Sequence, residues 1–336
     1  MPTIRDVAKL AGVAPITVSR AINNSGYVKD ETRARVEAAI DELGYVPNIL
    51  GLSLRSKKTM TIAAVITDIT NPFWTTVTRG IEDVAQANGY STILCNTDES
   101  KDKQEQYLQM LLRRRIDGIL FVPASSEAAP IMQVKKQKIP IVLMDRNVPG
   151  VDVDIVRSDS EQGAYLITEH LLSLGHQRIA MLSGPQNIST SIDRAKGYRR
   201  ALHDVGLSIS AEQIFWGEYT QESGYKMAKE MLPELTNITA LVTANNFIAI
   251  GAMQLLNEKK IRVPEDIALV TVDDIPPTFT VTPFFTVAIQ AASEMGKQAA
   301  QLLLNRVSGA IDAPCKEVVL PVQMTIRASS GEKVSP

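Results

Sequence analysis

The chain has 336 residues, more than one compact core usually holds, so two or three folding units are expected. Hydrophobic residues make up 45% of it and charged residues 21%, which is typical of a globular protein and not of a disordered or fibrous one. No apolar run approaches the roughly 18 residues of a membrane span, no signal-peptide core follows Met1, and two cysteines cannot form a disulfide framework. These features predict a cytoplasmic protein that does not contact a membrane.

Charge is divided unevenly along the chain, whose net charge is −2. Residues 1–58 carry nine Lys/Arg against six Asp/Glu, a net charge of +3, whereas the remainder carries 26 against 31, a net charge of −5. A basic N-terminal part and an acidic remainder indicate that the two parts bind different partners.

The N-terminal part has a purely helical pattern. Thr3 and Asp6 have the spacing of a capping box, in which each side chain accepts a hydrogen bond from an N–H at the helix start. Gly12 is expected to end this helix, Pro15 suits the first turn of the next, and a third helix is expected from Asp30 to Gly44. Apolar residues recur at helical spacing, at Ile4, Val7, Ala8, Ala11, Val18, Ile22, Val36, Ile40 and Leu43. The pattern predicts a helix-turn-helix domain.

From Met60 onward, apolar strand-like runs alternate with amphipathic helices. The runs are Ile62–Ile66, Thr92–Leu94, Ile119–Val122, Ile141–Met144, Ile179–Leu182, Ala240–Val242 and Ile267–Val272. The helical stretches are Arg79–Ala87, Gln104–Leu112, Tyr165–Leu174, Tyr198–Val205 and Ile248–Asn257. This alternation is typical of parallel sheets wrapped by helices, and so many strands favour an α/β body of two doubly wound lobes.

Polar and aromatic side chains follow these strands, where open α/β sheets bind ligands. The candidates are Asn71, Phe73, Asp145, Tyr219, Asn245 and Asp273, with Arg194 at the start of a helix and Gln290 after a late strand-like run. Carboxylates, amides and a guanidinium exchange hydrogen bonds with vicinal hydroxyls, while aromatic rings cover an apolar ring face. Simpler alternatives are that Asp145 and Asn245 cap helices and that Tyr219 is a core residue.

An enzyme on such a fold needs a nucleophile beside a base, clustered metal ligands or a phosphate-binding loop. His170, His176 and His203 are scattered, and Cys95 has no histidine near it in the expected cleft. Asp68–Pro72 stands where a glycine-rich loop would follow the first strand. We therefore expect no catalytic residues, no metal and no cofactor.

Two sets of short motifs keep a shared order along nearly the whole chain. The first set is Thr3–Val13, Thr17–Arg20, Asn23, Thr32-Arg33, Leu43-Gly44-Tyr45 and Pro47-Asn48. The second is Asn71-Pro72-Phe73, Gly80-Ile81-Glu82, Asp117-Gly118, Gly175-His176, Gly184-Pro185, Arg194 with Gly197-Tyr198, and Val263-Pro264. In order and spacing these motifs resemble the lactose-repressor/galactose-repressor family. The resemblance implies a DNA-binding transcription regulator whose effector contacts fall on the strand-end positions named above.

The resemblance marks the second helix as a recognition helix, whose N-terminal side chains enter the major groove. Arg20 suits a guanine edge and Ile16 a thymine methyl, while short hydroxyl and amide side chains suit phosphates. The DNA-binding set in the head is Thr3, Pro15, Ile16, Thr17, Ser19, Arg20 and Asn23. Ala14 stands where the family usually has a capping Ser, whose loss destabilises a helix by about 1 kcal/mol. The alternative is that Ser19 and Arg20 only solvate a helix.

The segment after the head resembles the family's hinge helix, whose paired copies enter the minor groove at the operator centre. Leu54 matches the leucine that wedges between base steps, and Arg55 joins it in the predicted DNA-binding set. Gly51 and Leu52 depart from the Ala and Arg that the family commonly has, and glycine destabilises a helix by about 1 kcal/mol relative to alanine. A plain interdomain linker is the alternative.

The resemblance implies a helix-turn-helix head at 1–46, a hinge at 47–58, a periplasmic-binding-protein-like body at 59–330 and a tail at 331–336. The lobes of the body are expected at about 60–158 plus 288–317 and at about 159–287 plus 318–330. The polar end Ser329–Pro336 is too short for a tetramer-forming coiled coil. A homodimer on a palindromic operator is therefore expected.

The effector is expected to be a neutral monosaccharide, with ribose or another pentose or hexose as the leading candidates. Asp145 and Asp273 accept hydrogen bonds and need donor hydroxyls, whereas Arg194 and Asn245 donate. A purine base is the alternative, because aromatic side chains including Phe73 favour stacking. A solute-binding protein without a regulatory role is a third alternative, against which the attached helix-turn-helix argues. The sequence is compatible with an effector that releases the protein from DNA and equally with one that tightens its binding to DNA.

Overall fold

The computed structural model of the chain describes residues 2–46, 58–207, 213–275, 282–309 and 314–331. The chain divides into two compact units, residues 1–59 and 60–336, each with a hydrophobic core of its own. None of the helices in the described ranges is both long and apolar enough to cross a membrane.

The N-terminal unit is built from α1 (Ile4–Ala11), α2 (Pro15–Ile22) and α3 (Asp30–Leu43). The predicted capping box is present, because the Asp6 N–H donates to Thr3 Oγ1 at 3.4 Å and the Thr3 N–H donates to the Asp6 carboxylate at 2.8 Å. Gly12 ends α1 with φ of 64°, a left-handed conformation that suits glycine. Ala14 makes no side-chain cap at the start of α2. The helix-turn-helix prediction is confirmed.

The core of this unit joins the three helices. Val7, Val18 and Val36, one from each helix, are fully buried. Arg35 on α3 also reaches the end of α1, where its Nε donates to the Ala11 carbonyl at 3.1 Å. A cation at the C-terminal carbonyls complements the helix dipole and fixes the angle between α1 and α3.

The second unit contains two lobes, each with a six-stranded sheet. The first lobe consists of β1 (Thr61–Ile66), α4 (Pro72–Ala87), β2 (Ser91–Asn96), α5 (Lys101–Arg114), β3 (Gly118–Phe121), α6 (Ala129–Lys136), β4 (Ile141–Met144), β5 (Asp154–Ser158), α11 (Ala292–Ser308) and β11 (Glu317–Leu320). Its strand order is β11-β5-β4-β3-β1-β2, with every pair parallel.

The second lobe repeats this strand order but reverses one edge strand. It consists of α7 (Ser160–Ser173), β6 (Ile179–Ser183), α8 (Ser189–Asp204), β7 (Ile214–Trp216), α9 (Gln221–Met231), β8 (Ala240–Thr243), α10 (Asn246–Glu258), β9 (Ala268–Val272), β10 (Thr286–Gln290) and β12 (Val322–Thr325), with 3₁₀ turns at Leu232–Asn237 and Ala328–Ser330. Its strand order is β12-β10-β9-β8-β6-β7, and β12 alone among these strands pairs antiparallel. The predicted fold of two doubly wound lobes is confirmed.

Central strands are buried on both faces, which explains their unbroken apolar runs. In β1, Ile62 and Ile66 pack on one side of the sheet, against α4 and α11, while Ala63 and Val65 pack on the other side. Successive side chains of a strand point to opposite faces, so helices on both sides bury them all.

The chain crosses between the lobes after Ser158, after Gln290 and after Leu320. The predicted lobe boundaries, at about 158, 288 and 317, lie near these crossings, and the last two crossings come three residues later than predicted. Gln290 still pairs in the second sheet with Val322, and Leu320 still pairs in the first sheet with Ser158. Hydrogen bonds between paired strands set these two strand ends, and the apolar pattern of the sequence does not reveal such bonds.

The described C-terminal end, at Ser329 and Ser330, is anchored to the second lobe. Ser329 and Ser330 are buried, and Ser329 Oγ donates to the Leu269 carbonyl in β9 at 2.6 Å. Ser330 Oγ lies 3.0 Å from His170 Nε2 in α7. Both hydroxyls therefore have partners inside the protein.

Candidate functional site

A cavity of about 130 Å³ lies between the lobes at the carboxyl ends of both sheets. The eight side chains predicted from the sequence all line it: Asn71, Phe73, Asp145, Arg194, Tyr219, Asn245, Asp273 and Gln290. The two sheets share one strand order, and the carboxyl ends of their parallel strands converge on this space.

Asp145 and Asp273 occupy equivalent positions in the two lobes, directly after β4 and β9. Both have left-handed backbones, with φ of 64° and 67°, which aspartate adopts more readily than most residues. Their N–H groups donate to the neighbouring strand, to Val156 at 2.9 Å and Ala288 at 3.0 Å. The sheets therefore fix two buried carboxylates on opposite walls of the cavity.

Burial raises the pKa of both carboxyl groups, because removal from water disfavours the charged form. It raises the pKa of Asp273 to about 6, although Arg194 and the Gln290 amide oppose the shift. The pKa of Asp145 is also raised by burial, against the charges of Arg194 and Arg146. Asp273 is therefore mostly ionised at neutral pH and becomes half protonated at about pH 6.

Two buried guanidinium groups face these carboxylates. Arg146 donates to both oxygens of Glu99 at 2.6 Å and to the Pro123 carbonyl at 3.0 Å. Arg194 donates through one Nη to the Ala244 carbonyl at 2.8 Å. Burial opposes their charge, but nearby anionic groups, with Glu99 foremost for Arg146, leave the pKa of both raised. Each stays charged and fixed in place.

Tyr219 forms the aromatic wall on the second lobe. Its ring lies against the backbone of Gly184, where a Cβ would stand only 2.3 Å from the ring. Its hydroxyl lies 2.8 Å from Ser191 Oγ and 3.2 Å from Thr190 Oγ1. The guanidinium carbons of Arg146 and Arg194 are 5.6 and 5.7 Å from the ring centroid, within cation–π range. Tyr219 therefore joins both arginines, one from each lobe.

Phe73 and Trp74 form the aromatic side on the first lobe. Their ring centroids are 4.8 Å apart at an interplanar angle of 75°, an edge-to-face arrangement. Both side chains are buried and line the cavity. Aromatic side chains therefore line the cavity on both lobes.

The predicted amides have structural contacts as well as places on the cavity wall. Asn245 Oδ1 accepts from the Ile248 N–H at 2.9 Å, so the capping alternative for Asn245 holds beside its position in the cavity. Asn71 Oδ1 likewise accepts from the Phe73 N–H at 3.0 Å. Gln290 Nε2 donates to Asp273 Oδ1 at 2.6 Å and orients that carboxylate.

Unpartnered polar atoms concentrate at this cavity. In the described part of the chain, eight buried side-chain nitrogen or oxygen atoms have no hydrogen-bond partner, and five belong to residues that line it. These five are Thr67 Oγ1, Asp145 Oδ1, Arg146 Nε, Arg194 Nε and Gln290 Oε1. Buried polar groups in proteins are nearly always paired, so the set indicates a ligand that both donates and accepts hydrogen bonds.

Apart from Thr3, the predicted DNA-binding residues of the head lie on or beside α2. Pro15, Ile16 and Arg20 are exposed, while Thr17, Ser19 and Asn23 are half-buried, with Asn23 Nδ2 donating to Ser19 Oγ at 3.3 Å. Thr3 caps α1 and remains exposed. Leu54 and Arg55 lie outside the described residues, as does most of the predicted hinge.

Comparison with known proteins decides the family. Residues 3–48 match the profile of bacterial regulatory proteins of the lacI family, and residues 59–327 match that of periplasmic binding proteins and the sugar binding domain of the LacI family. The chain belongs to the lacI family. The resemblance seen in the short motifs is therefore confirmed.

Two repressors with different names are among the relatives of this lacI-family chain. The ribose operon repressor of Escherichia coli (strain K12) is 35% identical over 310 residues, 92% of this chain and 94% of the relative. The HTH-type transcriptional repressor PurR of Vibrio atlanticus (strain LGP32) is 36% identical over 308 residues, 91% of this chain and 92% of the relative.

Solved structures agree in fold with this lacI-family chain. The lac repressor dimer bound to operator and the anti-inducer ONPF is 27% identical, with a TM-score of 0.84, over 98% of this chain and 99% of that one. A LacI family regulator from Enterococcus faecium with bound ribose is 32% identical, with a TM-score of 0.70, over 80% of this chain and 98% of that one.

The sequence reasoning missed Arg146 and Glu99. Arg146 directly follows Asp145 and offers an unpartnered Nε to the cavity, 3.9 Å from Asp145 Oδ2. Its partner Glu99 comes from the loop after β2. The available signal was a charged residue beside a predicted strand-end carboxylate, but nothing local marked the ion pair.

Among the described residues no group of three His, Cys, Asp or Glu side chains is arranged to hold a metal ion. Cys95 lies within β2 and packs in the core of the first lobe, where burial raises the pKa of its thiol to about 11. It does not line the cavity. The thiol is therefore protonated near neutral pH and acts as a small core side chain.

Proposed function

We propose that this lacI-family regulator is a transcriptional repressor whose operator affinity is controlled by a neutral monosaccharide, with D-ribose as the leading candidate. The head at 1–46 reads a palindromic operator, the hinge at 47–58 enters the minor groove, and the body at 59–330 binds the sugar. The protein acts in the cytoplasm as a homodimer and has no catalytic activity.

The observation that carries the sugar assignment is the mixture of unpartnered donors and acceptors in one small cavity. Asp145 Oδ1 and Gln290 Oε1 accept only, whereas Arg146 Nε and Arg194 Nε donate only. A hydroxyl group both donates and accepts, so adjacent hydroxyls on one ring meet these needs at once. A ligand poor in hydroxyls leaves a buried carboxylate without a donor, which costs several kcal/mol.

Size supports a single ring. The cavity of about 130 Å³ is close to the roughly 150 Å³ of an engineered protein cavity that binds benzene. Apolar contacts from Phe73 and Trp74 suit the less polar face of a sugar ring. The Enterococcus faecium regulator with bound ribose and the ribose operon repressor are relatives that support this choice.

A purine base is the second candidate, favoured by the PurR relatives and by the three aromatic side chains. A purine offers fewer donors than a pentose to the two carboxylates of Asp145 and Asp273. The guanidiniums of Arg146 and Arg194 already lie within cation–π range of Tyr219, so its ring is not a free stacking platform. These contacts favour the sugar.

Calorimetry on the full chain tests the assignment. We expect D-ribose to bind and hypoxanthine and guanine not to bind. 2-Deoxy-D-ribose should bind at least about a hundredfold more weakly, because a buried polar group that loses its hydroxyl partner stays unpaired. A gel shift with the promoter DNA of the protein's own gene, with and without D-ribose, gives the direction of the response. Binding of a purine without binding of any sugar contradicts the proposal.

Sugar binding should weaken as the pH falls through about 6, the value to which burial raises the pKa of Asp273. The ionised carboxylate accepts from a sugar hydroxyl, and each pH unit below the pKa reduces the ionised fraction about tenfold. We expect a nearly constant D-ribose affinity from pH 7 to 8 and a loss approaching tenfold at pH 5, measured by calorimetry. Asp273→Asn should bind weakly and flatten this step, whereas an unchanged profile from pH 5 to 8 argues against a carboxylate contact.

A further inference from the structure

Asn246, the first residue of α10, is buried but is not among the described residues that line the cavity. It faces Asn71, at the start of α4 in the other lobe. Asn71 Nδ2 donates to Asn246 Oδ1 at 3.0 Å, and Asn246 Nδ2 donates to Asn71 Oδ1 at 3.2 Å. The two side chains form a reciprocal amide pair between the lobes.

The protein itself uses nearly all the hydrogen-bonding capacity of Asn246. A side-chain amide has two N–H donors and one oxygen with two lone pairs. One N–H of Asn246 donates to Asn71 and the other to the Asp274 carbonyl at 3.3 Å, while its oxygen accepts from Asn71. This saturation distinguishes Asn246 from its neighbour Asn245, which lines the cavity.

The contacts of Asn246 join the parts that surround the ligand site. Asn71 caps α4, the helix that carries Phe73 and Trp74. Asp274 directly follows the buried carboxylate Asp273. Asn246 thus links the helix of the first lobe that carries Phe73 and Trp74 to the segment of the second lobe that follows Asp273.

We propose that Asn246 is a positioning residue that latches the two lobes together around the effector without contacting it. The inference rests on the proposed sugar-binding function. The apparent affinity of a ligand equals its intrinsic affinity multiplied by the fraction of protein in the binding-competent state. A buried pair of hydrogen bonds between the lobes increases that fraction and slows escape of a bound sugar. Shielding from water strengthens such bonds relative to the exposed contact of the Asn147 N–H with Ser189 Oγ at 2.9 Å.

The test compares variants on either side of the pair. Asn246→Ala removes both bonds, and Asn71→Ser also removes them but keeps a residue that caps helices well. Each should weaken D-ribose binding by about tenfold, mainly through faster dissociation, and the double variant should be no weaker than either single one. Asn88→Ala is the matched control, because its amide donates to Val84 within the first lobe, and it should not change binding.

The readouts separate a latch from a general loss of stability. Calorimetry gives the affinity, and stopped-flow fluorescence of Trp74, in a Trp216→Phe background, gives the dissociation rate. An unchanged D-ribose affinity in Asn246→Ala overturns the proposal, as do fully additive losses in the double variant.

If the wild-type protein does not bind D-ribose, the proposed effector is wrong, and small-angle X-ray scattering without sugar decides on the latch. We expect a larger radius of gyration for Asn246→Ala than for Asn88→Ala. Equal radii overturn the latch.

Discussion

Replacing Arg194 by alanine is expected to weaken D-ribose binding by at least about a hundredfold while operator binding without sugar persists. Arg194 is buried, its Nε has no partner among the described residues, and its charge lowers the pKa of both Asp145 and Asp273. Without Arg194 the nearby charges of Asp145 and Asp273 stay buried with less compensation, and truncating a buried charged partner costs about 2–5 kcal/mol. Calorimetry gives the sugar affinity, and a gel shift gives the operator affinity.

The same helix supplies a matched control for this prediction. Arg200 also lies on α8, but it is partly exposed, pairs with Glu161 and stacks 4.4 Å from the ring centroid of Tyr165. Arg200→Ala should change D-ribose affinity by less than about twofold, since exposed ion pairs contribute little. Arg194→Lys keeps the charge but lacks the planar fork, so its affinity should fall between those of the wild type and Arg194→Ala. Equal losses in Arg194→Ala and Arg200→Ala contradict a direct role for Arg194.

Loss of Arg194 should also move the pH dependence of the site. Because its charge lowers the pKa of Asp273, its removal raises that pKa further above about 6. Any sugar binding that remains in Arg194→Ala should therefore begin to weaken at a higher pH than in the wild type.

The sequence predicted much of the site because its residues stand at strand ends. Asp145, Asn245 and Asp273 each follow an apolar run that is readable as a buried strand, and parallel strands bring their carboxyl ends to one edge. Two doubly wound sheets then place both edges on one cavity. A local pattern is sufficient to predict these site residues, because a residue directly after a parallel strand lies at the edge of the sheet that faces the cavity.

What the sequence did not predict depends on contacts between distant segments. Glu99 orients Arg146 across 47 residues, and the Asn71–Asn246 pair spans 175. β5 and β11 also escaped prediction, because the paired charges of Arg157 and Glu317 interrupt their apolar pattern. Strand register and ion pairing are properties of the assembled lobe, so no window of neighbouring residues encodes them.

Arg20→Ala is expected to reduce operator affinity by a hundredfold or more and to leave D-ribose binding unchanged. Arg20 is exposed in the last turn of α2, where its side chain is open to solvent. A bidentate arginine–guanine contact contributes about 1–3 kcal/mol, and a symmetric dimer on a palindrome loses two of them. Gel shifts with operator and with unrelated DNA measure the loss, which should be much smaller for unrelated DNA.

A comparison with Arg35, a second arginine of the head, distinguishes recognition of bases from stabilisation of the fold. Arg35 donates to the Ala11 carbonyl at 3.1 Å and to the Gly12 carbonyl at 3.2 Å, so Arg35→Ala should lower the thermal unfolding temperature of the head. Arg20→Ala should leave that temperature unchanged, since its side chain is exposed. Arg20→Lys should keep the dependence of DNA binding on salt but lose preference at one position of each half-site, because lysine keeps the charge without the fork. If Arg20→Ala destabilises the head as much as Arg35→Ala does, or weakens operator and unrelated DNA equally, then Arg20 supports the helix and does not read a base.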